Sequence, residues 1–447
     1  MSENSTLQNS SFSISFLCKK KQMNILILGS GGREHAIAWK LKQSSKTSNI
    51  FIAPGNAGTV TVGTNLSIAV NDFDAIADCV RVHHIRMVVV GPEAPLVEGI
   101  VDYFRAKPEF SYLKLIGPAK YGARLEGSKE FAKEFMIRNN VPTAKFESFT
   151  AESLENGYAF LETLKAPYVL KADGLAGGKG VLILNEISEA KSELKAMLVD
   201  AKFGEASSNV VIEEYLDGIE MSVFVLTDGQ GYQIMPEAKD YKRIGEGDTG
   251  LNTGGMGAIS PVPFMNEELR KRIENNVVQP SVNGLNAEKI DYKGFLFIGL
   301  MIVDNHPFVI EYNVRMGDPE TEVVMPRIKS DLVDHFVACA EGNIANSKIE
   351  FEENAATTVM LVAEGYPEKY EKGKEMTGFD QTEDCILFHA GTKLENEKVI
   401  TNGGRILAIT AVDKNFKNAL VKSFKNADRI LYEGKYYRKD IGFDLIE

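Results

Sequence analysis

Short, continuous apolar runs alternate with helical patterns through the first part of the chain. Each run ends near glycine or proline, which is typical of strands buried on both faces of a parallel sheet. The segments between them repeat apolar positions at helical spacing. The runs are Asn24–Gly29, Asn49–Ala53, Met87–Gly91 and Lys114–Gly117, and the helical segments are Arg33–Lys42 and Asp72–His83. This pattern predicts a doubly wound α/β domain over residues 23–122.

The central part of the chain changes to an α+β pattern. Ser128 is placed to cap a helix that reaches Asn139, and Val141-Pro142 then ends that helix. Apolar strands of antiparallel type follow. They are Tyr168–Lys171, Val181–Leu184, Val210–Glu214, Met221–Leu226, Gly231–Ile234, Phe295–Val303 and Phe308–Tyr312. We therefore expect a second, mixed domain over residues 123–330.

The last part begins with a predicted linker helix, Asp331–Glu341. Alternating apolar strands at Thr357–Ala363 and Arg405–Ala411 follow it. They indicate a small α+β domain within residues 331–447. The expected fold class is thus α/β and α+β, with the doubly wound domain first.

Length and charge narrow the possible functions. A chain of 447 residues is too long for one ordinary core and predicts about three domains. A net charge of −12 argues against non-specific nucleic-acid binding, which needs a basic face. No apolar run approaches the ~18 residues of a membrane helix.

The cysteines and the N-terminus indicate the compartment. The four cysteines lie far apart without a CxxC pair, so neither a zinc site nor a disulfide framework is predicted. We expect a cytoplasmic protein that is a monomer or a weak homodimer.

Residues 1–22 are rich in Ser and Asn and predict a disordered tail. Met23 stands directly before the first strand and is a second candidate start.

A glycine loop joins the first strand to the first helix, from Gly29 to His35. Such a loop lets backbone N–H groups reach an anion at the helix N-terminus. A dinucleotide is disfavoured, because Glu34 replaces the third glycine of the fingerprint and Ala53 stands where strand two needs an acid. A phosphate held at Gly32 and Arg33 is one interpretation. A turn that serves only strand-to-helix packing is the other.

Two more polar residues follow strands of the same predicted sheet. Asn56 comes after the second apolar run, and Glu93 comes after the third. The carboxyl ends of parallel strands are the edge where open α/β sheets bind ligands. Either residue alone is more often a turn residue, but together they favour a small polar ligand with hydroxyl or amine groups.

A second glycine-rich loop, Lys171–Val181, lies between two predicted strands. It is not a Walker A loop, because no Ser or Thr follows Lys179. Four glycines and two lysines suit a flap over phosphates, with Lys171 rising from the strand, whereas a plain hairpin rarely needs so many glycines. Farther on, Glu213 and Glu220 flank a segment suited to an adenine edge and a ribose, and the alternative is an acidic loop in solvent.

The strand Phe308–Tyr312 leads into a row of polar residues. Glu311, Asn313 and Arg315 alternate on one face. A carboxylate and an amide oxygen are ligands of the kind that Mg²⁺ takes beside phosphates, and the arginine would steady a phosphoryl group. The alternative is a solvated polar face, but apolar residues alternate with the polar ones, and a buried carboxylate without a cation is costly.

These motifs, in this order, resemble the ATP-grasp superfamily and, within it, the glycinamide ribonucleotide synthetases. The resemblance spans residues 23–447. The motifs that carry it are GSGGREHA, APGN, GPEAPLVEGI, LEGSKEFAK, LKADGLAGGKGV, GDTGLNTGGMGA, EYNVRMGDPE and NGGR at Asn402–Arg405. The loop NTGGMGA and the GDPE that follows the metal strand are the specific ones, since other ligases share the ATP-grasp elements.

The resemblance implies an enzyme that joins glycine to 5-phosphoribosylamine with ATP, through glycyl phosphate, in purine synthesis. It implies Mg²⁺ or Mn²⁺ on Glu311 and Asn313, and catalysis by Lys171 and Arg315. The implied ATP-binding residues are Lys129, Lys171, Lys179, Glu213, Leu216 and Glu220. The implied substrate-binding residues are Gly32, Arg33, Asn56 and Glu93 for phosphoribosylamine, and Asp248, Asn252, Thr253 and Asp318 for glycine.

Other interpretations stay open at this point. Another ATP-grasp ligase would use a different acid or amine, and a regulatory nucleotide-binding protein would lack turnover. The specific loops argue against the first, and intact Lys171, Glu311 and Asn313 argue against the second. Tyr241 and Leu251 depart from the family, whose members commonly have His and Pro at these positions.

Overall fold

The computed structural model describes residues 22–175 and 180–445. Within these ranges, none of the helices combines the length and the apolar character that a bilayer crossing requires. The structure has an N-terminal parallel sheet, a central α+β region with two antiparallel sheets and a C-terminal α+β region, so the predicted fold class is confirmed.

The N-terminal region is a five-stranded parallel sheet with the strand order β3-β2-β1-β4-β5. The first strand is buried on both faces, with Ile25 and Ile27 in one core and Leu26 and Leu28 in another. This two-sided burial explains its unbroken apolar sequence. The elements are β1 (Met23–Gly29), α1 (Gly32–Lys42), β2 (Thr47–Pro54), β3 (Thr64–Asn65), α2 (Phe73–Val82), β4 (Ile85–Val90), α3 (Glu93–Glu98), α4 (Ile100–Arg105), β5 (Lys114–Ile116) and α5 (Lys120–Gly127).

A small antiparallel sheet follows, with the order β6-β9-β7-β8 and its own apolar core. The helix before it begins as predicted, because the Ser128 side chain accepts a hydrogen bond from the Phe131 N–H at 3.1 Å. We call this the small sheet. Its elements are α6 (Lys129–Arg138), β6 (Phe146–Phe149), α7 (Leu154–Glu162), β7 (Tyr168–Ala172), β8 (Val181–Leu184), α8 (Ile187–Leu198) and β9 (Val210–Glu214).

A second four-stranded sheet has the order β11-β10-β16-β17, and we call it the long sheet. One of its faces belongs to the core that also covers Leu26 and Leu28. The elements of this part of the chain are β10 (Ile219–Thr227), β11 (Tyr232–Ile234), β12 (Lys239–Asp240), β13 (Arg243–Gly245), β14 (Thr249–Asn252), β15 (Gly257–Ser260), α9 (Glu267–Ile273), α10 (Gln279–Ala287), β16 (Gly294–Val303) and β17 (His306–Asn313).

The C-terminal sheet recruits strands from the central part of the chain. Its order is β12-β15-β18-β22-β19, and β23 pairs with β18. The Gly-rich loop before Gly257 therefore leads directly into this sheet. The remaining elements are α11 (Thr321–Val324), α12 (Leu332–Glu341), β18 (Ala355–Ala363), β19 (Ile386–His389), β20 (Thr392–Glu395), β21 (Lys398–Thr401), β22 (Arg405–Asp413), α13 (Phe416–Arg429) and β23 (Lys435–Tyr436).

Two buried histidines join the first and last regions. His35 of α1 accepts a hydrogen bond at Nδ1 from the backbone N–H of His389, at 2.9 Å. Phe379 stacks on the His389 ring, and Phe388 meets the His35 ring edge to face. Burial lowers the pKa of His35 to about 3 and that of His389 to about 4, so both rings are neutral.

We expect this interface to make the protein acid-sensitive. The pKa values of both histidines are lower in the folded protein than in the unfolded chain, where they are about 6.5. The two neutral rings therefore contribute their full stabilisation of the fold above about pH 6.5, and this contribution is lost as the pH falls toward the folded pKa values. Between pH 8 and pH 5, each histidine should cost about 2 kcal/mol of unfolding free energy. Denaturant titrations at both pH values would measure it.

A His35→Asn variant keeps an acceptor near Nδ1 and should lose roughly half of this pH dependence. The matched control is His306→Gln, since His306 is exposed at the start of β17, away from this interface, and the variant should leave the dependence unchanged. An undiminished dependence in His35→Asn would contradict the assignment.

Candidate active site

The first loop places its own carboxylate, that of Glu34, at the N-terminus of α1. Glu34 accepts a hydrogen bond from the Gly31 N–H at 2.6 Å and another from Arg33 Nε at 2.6 Å. A Cβ at Gly91 would lie 2.0 Å from Glu34, so the carboxylate fills the crevice between β1 and β4. Asp318 lies 3.4 Å from the Arg33 N–H. Where a dinucleotide fold needs glycine, this protein has a buried capping carboxylate.

Arg33 lies at the junction of the first and central regions. Its Nη1 donates to the Met316 carbonyl at 3.1 Å, and the side chain is buried. Burial alone would lower the pKa of Arg33, but the carboxylates of Glu34, Asp318 and Glu93 outweigh it and raise the pKa. The residue is a fixed cation beside the loop edge.

The Asn56 side chain uses its polar atoms within the protein. Its Oδ1 accepts from the backbone N–H groups of Gly58 and Thr59, at 2.9 and 3.1 Å. Its Nδ2 donates to the carbonyls of Ser30 and His389, at 2.9 and 2.7 Å. Asn56 therefore shapes the edge of the first sheet and ties it to the C-terminal region.

Arg315 joins the edge of the first sheet to the end of β17. Its Nη2 donates to Glu126 at 2.6 Å and to the Asn313 Oδ1 at 3.1 Å, and its Nε lies 3.5 Å from Glu93. Glu126 also accepts from the Val314 N–H at 2.8 Å. Burial raises the pKa of Glu126 to about 7. For Glu93, burial is outweighed mainly by Arg315, which holds its pKa below the usual value.

Glu311 and Asn313 lie side by side on β17, as the alternation predicts. Asn313 Nδ2 donates to Glu311 Oε1 at 3.3 Å. Burial would raise the pKa of Glu311, but Lys242 and Lys171 outweigh it and lower the pKa, so the carboxylate is ionised. Among residues 22–175 and 180–445, no three His, Cys, Asp or Glu form a metal site. A cation here would have two protein oxygens and would need phosphate and water for the rest.

A buried carboxylate bridges two lysines beneath the small sheet. Glu213 lies 2.9 Å from Lys171 Nζ through one oxygen and 2.9 Å from Lys133 Nζ through the other. Burial alone would raise the pKa of Glu213, but Lys171 and Lys133 outweigh it and hold the pKa below its usual value. Lys171 also reaches the Ile310 carbonyl of β17, at 3.4 Å. The small and long sheets therefore meet at Lys171.

Lys129 lies at the base of the second glycine loop. Its Nζ donates to the Gly174 carbonyl at 3.2 Å. Asp173 accepts from the Glu130 N–H at 2.7 Å and so helps to cap α6. Lys179, the other predicted phosphate ligand of this loop, lies outside the described residues.

The segment between β9 and β10 connects the small sheet to the long sheet. Leu216 is half-buried in it, and Glu220 follows at the start of β10. Glu220 accepts a hydrogen bond from Lys242 Nζ. Burial would lower the pKa of Lys242, but Glu220, Asp240 and Glu311 raise it well above the usual value.

The four residues implied for glycine occupy different places. Asp248 lies at the tip of the β13–β14 hairpin and pairs with Arg438 Nη1 at 2.5 Å. Asn252 lies at the other end of that hairpin, opposite Arg243. Thr253 follows, and its hydroxyl donates to the Lys242 carbonyl at 2.8 Å. Asp318 lies farther along the chain, at the junction of all three regions.

Three charged residues at this junction were not singled out from the sequence. Glu126 lies within LEGSKEFAK and Arg405 within NGGR, so both stood in motifs without a stated role. Glu322 is fully buried, and neither of its oxygens has a hydrogen-bond partner among the described residues. Burial, reinforced by Asp318, raises its pKa well above the usual value. Membership of a motif was the only sequence signal for Glu126 and Arg405, and only tertiary contacts single out Glu322.

Three family models match the chain in order. They describe the N domain, the ATP-grasp (A) domain and the C domain of phosphoribosylglycinamide synthetase, over residues 23–126, 127–321 and 356–444. Among curated relatives, the phosphoribosylamine–glycine ligase of Pasteurella multocida is 46% identical over 428 residues, which is 95% of this chain and 98% of that protein. The ligase of the same name from Chlorobaculum tepidum is also 46% identical, over 94% of this chain and 99% of its own.

Solved structures agree with this assignment. The phosphoribosylamine–glycine ligase of Thermotoga maritima superposes with a TM-score of 0.81 at 35% identity, covering 93% of this chain and 99% of that one. A biotin carboxylase from Campylobacter jejuni, at 16% identity and a TM-score of 0.70, shares the fold over 95% of each chain. The chain therefore belongs to the phosphoribosylglycinamide synthetase family, with the N, ATP-grasp and C domains of that family following one another along it.

Proposed function

We propose that this protein joins glycine to 5-phosphoribosylamine, converting ATP to ADP and phosphate and releasing glycinamide ribonucleotide. The relatives that match nearly its whole length carry the name phosphoribosylamine–glycine ligase. The observation that supports it best is the continuous polar row Glu311, Asn313 and Arg315. That row reaches Lys171 on one side and, through Glu126 and Glu93, the loops of the first sheet on the other.

ATP would lie between the small and long sheets. Lys129 and Lys171 offer positive charge toward its phosphates, with Lys179 in the glycine loop. Glu213 holds Lys171 in place from below. Leu216 would face the adenine and Glu220 the ribose hydroxyls, because Leu216 lies on the connection between the sheets and Glu220 at the start of β10.

Glu311 and Asn313 would hold the Mg²⁺ or Mn²⁺ that accompanies ATP. An ionised carboxylate and an amide beside it are the hard-oxygen donors that such ions take when phosphates complete the coordination. When bound, the ion neutralises charge on the phosphates. Asn313 also accepts from Arg315, so the same strand would place the cationic side chain next to the metal.

Two bonds are exchanged in the proposed reaction. A glycine carboxylate oxygen attacks the γ-phosphorus, the bond to the bridging oxygen breaks, and ADP leaves behind glycyl phosphate. The amine of phosphoribosylamine then attacks the glycyl carbonyl, phosphate leaves with the electron pair, and the amine proton passes to phosphate or solvent. Lys171 and Arg315 would stabilise the negative charge on the transferred phosphoryl group and hold that group in place. Phosphoryl transfer depends mainly on such positioning and charge stabilisation.

Phosphoribosylamine would bind at the edge of the first sheet, near Gly32, Arg33, Asn56 and Glu93. Arg33 is the cation of this edge, and the ionised Glu93 suits hydroxyl or amine groups. Asn56 would act by shaping the loop, because its polar atoms are bonded within the protein. Glycine would lie toward Thr253 and Asp318, where the central loops meet. Asn252 directly precedes Thr253. Asp248 would contribute to glycine binding by holding the β13–β14 hairpin in place.

The first test is ADP release by the purified protein. With phosphoribosylamine made in situ from ribose 5-phosphate and ammonia, ADP should form only when glycine is present. Alanine, serine and β-alanine serve as controls. Equal rates with these acids would favour a ligase of other specificity, and no ADP with both substrates would contradict the proposal.

The second test addresses the metal. Glu311→Gln removes the ionised ligand and should lower kcat/KM by about 100-fold or more, with a higher Mg²⁺ concentration for half-maximal rate. Asp304→Asn makes the same change of charge in the exposed turn before β17 and should behave as wild type. An unchanged Mg²⁺ dependence in Glu311→Gln would show that another residue binds the ion.

The third test follows oxygen through the acyl phosphate. Glycine labelled with ¹⁸O in its carboxylate should transfer one labelled oxygen to the phosphate product, because that oxygen becomes the acyl–phosphate bridge. Mass spectrometry of the phosphate measures the label. Unlabelled phosphate would mean that water, not glycine, attacks the γ-phosphorus.

A further inference from the structure

Loops from all three domains converge on the Asp318 carboxylate. One oxygen faces the backbone N–H of Arg33 in the first domain, at 3.4 Å. The other oxygen lies 2.9 Å from Nη2 of Arg405 in the C-terminal domain. The Asp318 side chain is 11% exposed, so its direction is fixed by these neighbours and not by water.

Arg405 holds a second loop at the same time. Its Nη1 donates to the Gly254 carbonyl at 2.5 Å and to the Asp318 carbonyl at 2.6 Å. The NTGGMGA loop and the GDPE loop are therefore bridged by one guanidinium. A planar fork with several donors can serve a carboxylate and two carbonyls together, which a lysine cannot.

The motif NGGR explains how a C-terminal residue reaches the central loops. Gly403 approaches Gly391 so closely that a Cβ on Gly403 would lie 2.9 Å from the Gly391 Cα. A Cβ on Gly404 would lie 2.2 Å from the Tyr366 ring. The Tyr366 hydroxyl in turn accepts from the Gly254 N–H at 3.0 Å. This close backbone packing places Arg405, the first residue of β22, beside the central loops.

Arg405 also supplies positive charge beside the Asp318 carboxylate. Glu322 is fully buried close to Asp318 and contacts Gly32, where a Cβ would lie 2.1 Å from its Oε1. Burial alone would lower the pKa of Arg405, but Asp318 outweighs it and raises the pKa, so the arginine stays charged. Without this cation, the nearly buried Asp318 carboxylate would lose its ion-pair partner from the C-terminal domain.

We propose that Arg405 is a positioning residue of the glycine subsite. It holds the Asp318 carboxylate and the Gly254–Gly255 turn in the arrangement that receives the α-ammonium group of the amino acid. The inference rests on the proposed function, in which Asp318 faces glycine. In the proposed function ATP would lie between the small and long sheets, away from Arg405, so we expect Arg405 to affect the amino acid and not the nucleotide.

Steady-state kinetics of Arg405→Met test this role. The variant keeps an apolar stem but removes the charge and all donors. The KM for glycine should rise by about 30-fold or more, the scale expected when a buried charge loses its partner, while the KM for ATP stays within about twofold. Arg405→Lys keeps the charge without the fork and should show a smaller rise, again confined to glycine.

The matched control is Arg429→Met in the same domain. Arg429 pairs with Glu383, whose side chain is 56% exposed, and it should leave both KM values unchanged. Titration with a non-hydrolysable ATP analogue checks that each variant is folded. If Arg405→Met fails to bind the analogue, Arg405→Lys decides the question.

The outcomes separate this inference from the proposed function. Wild-type protein without glycine-dependent ADP release would overturn both. Normal wild-type turnover with an unchanged glycine KM in the folded Arg405 variants would overturn the positioning role alone. A parallel rise of the glycine and ATP KM values would also overturn it, because a general loss of structure would explain that result.

Discussion

A buried carboxylate needs a cation beside it, and this constraint fixes how the parts of the molecule meet. Glu213 lies between Lys171 and Lys133 beneath the small sheet, and Asp318 lies beside Arg405 where all three domains join. Removing one member of such a pair leaves a charge that cannot be hydrated. The strands, helix and loop that carry these residues therefore have little freedom to move apart, and the side chains between them gain fixed positions.

The apolar cores group the sheets of the molecule differently from the buried ion pairs. The two faces of β1 belong to two cores, one shared with the C-terminal sheet and one face of the long sheet, the other shared with the opposite face of the long sheet. The small sheet has a core of its own. Its link to β17 includes the polar contact of Lys171 with the Ile310 carbonyl. The ATP site that we propose lies between these two separately packed sheets, which polar groups join.

Fold and specificity come from different parts of the chain. The biotin carboxylase that superposes over 95% of this chain is only 16% identical, so that likeness concerns architecture. The loops that distinguish this family are held by contacts across domains, such as those of Arg405 with Gly254 and Asp318. Function is carried by the groups placed on a fold and not by the fold itself.

The sequence by itself determined the local elements and the order of the motifs. Strand β1, the cap at Ser128 and the row from Glu311 to Arg315 were predictable because each depends on neighbours a few residues away. Only the tertiary structure decided which distant groups meet. Strand β15 joins the C-terminal sheet, and Asn56 bonds a carbonyl at His389. Such partners lie far apart along the chain, and burial, not spacing, selects them, since each buried polar group must find its partner wherever the fold brings one.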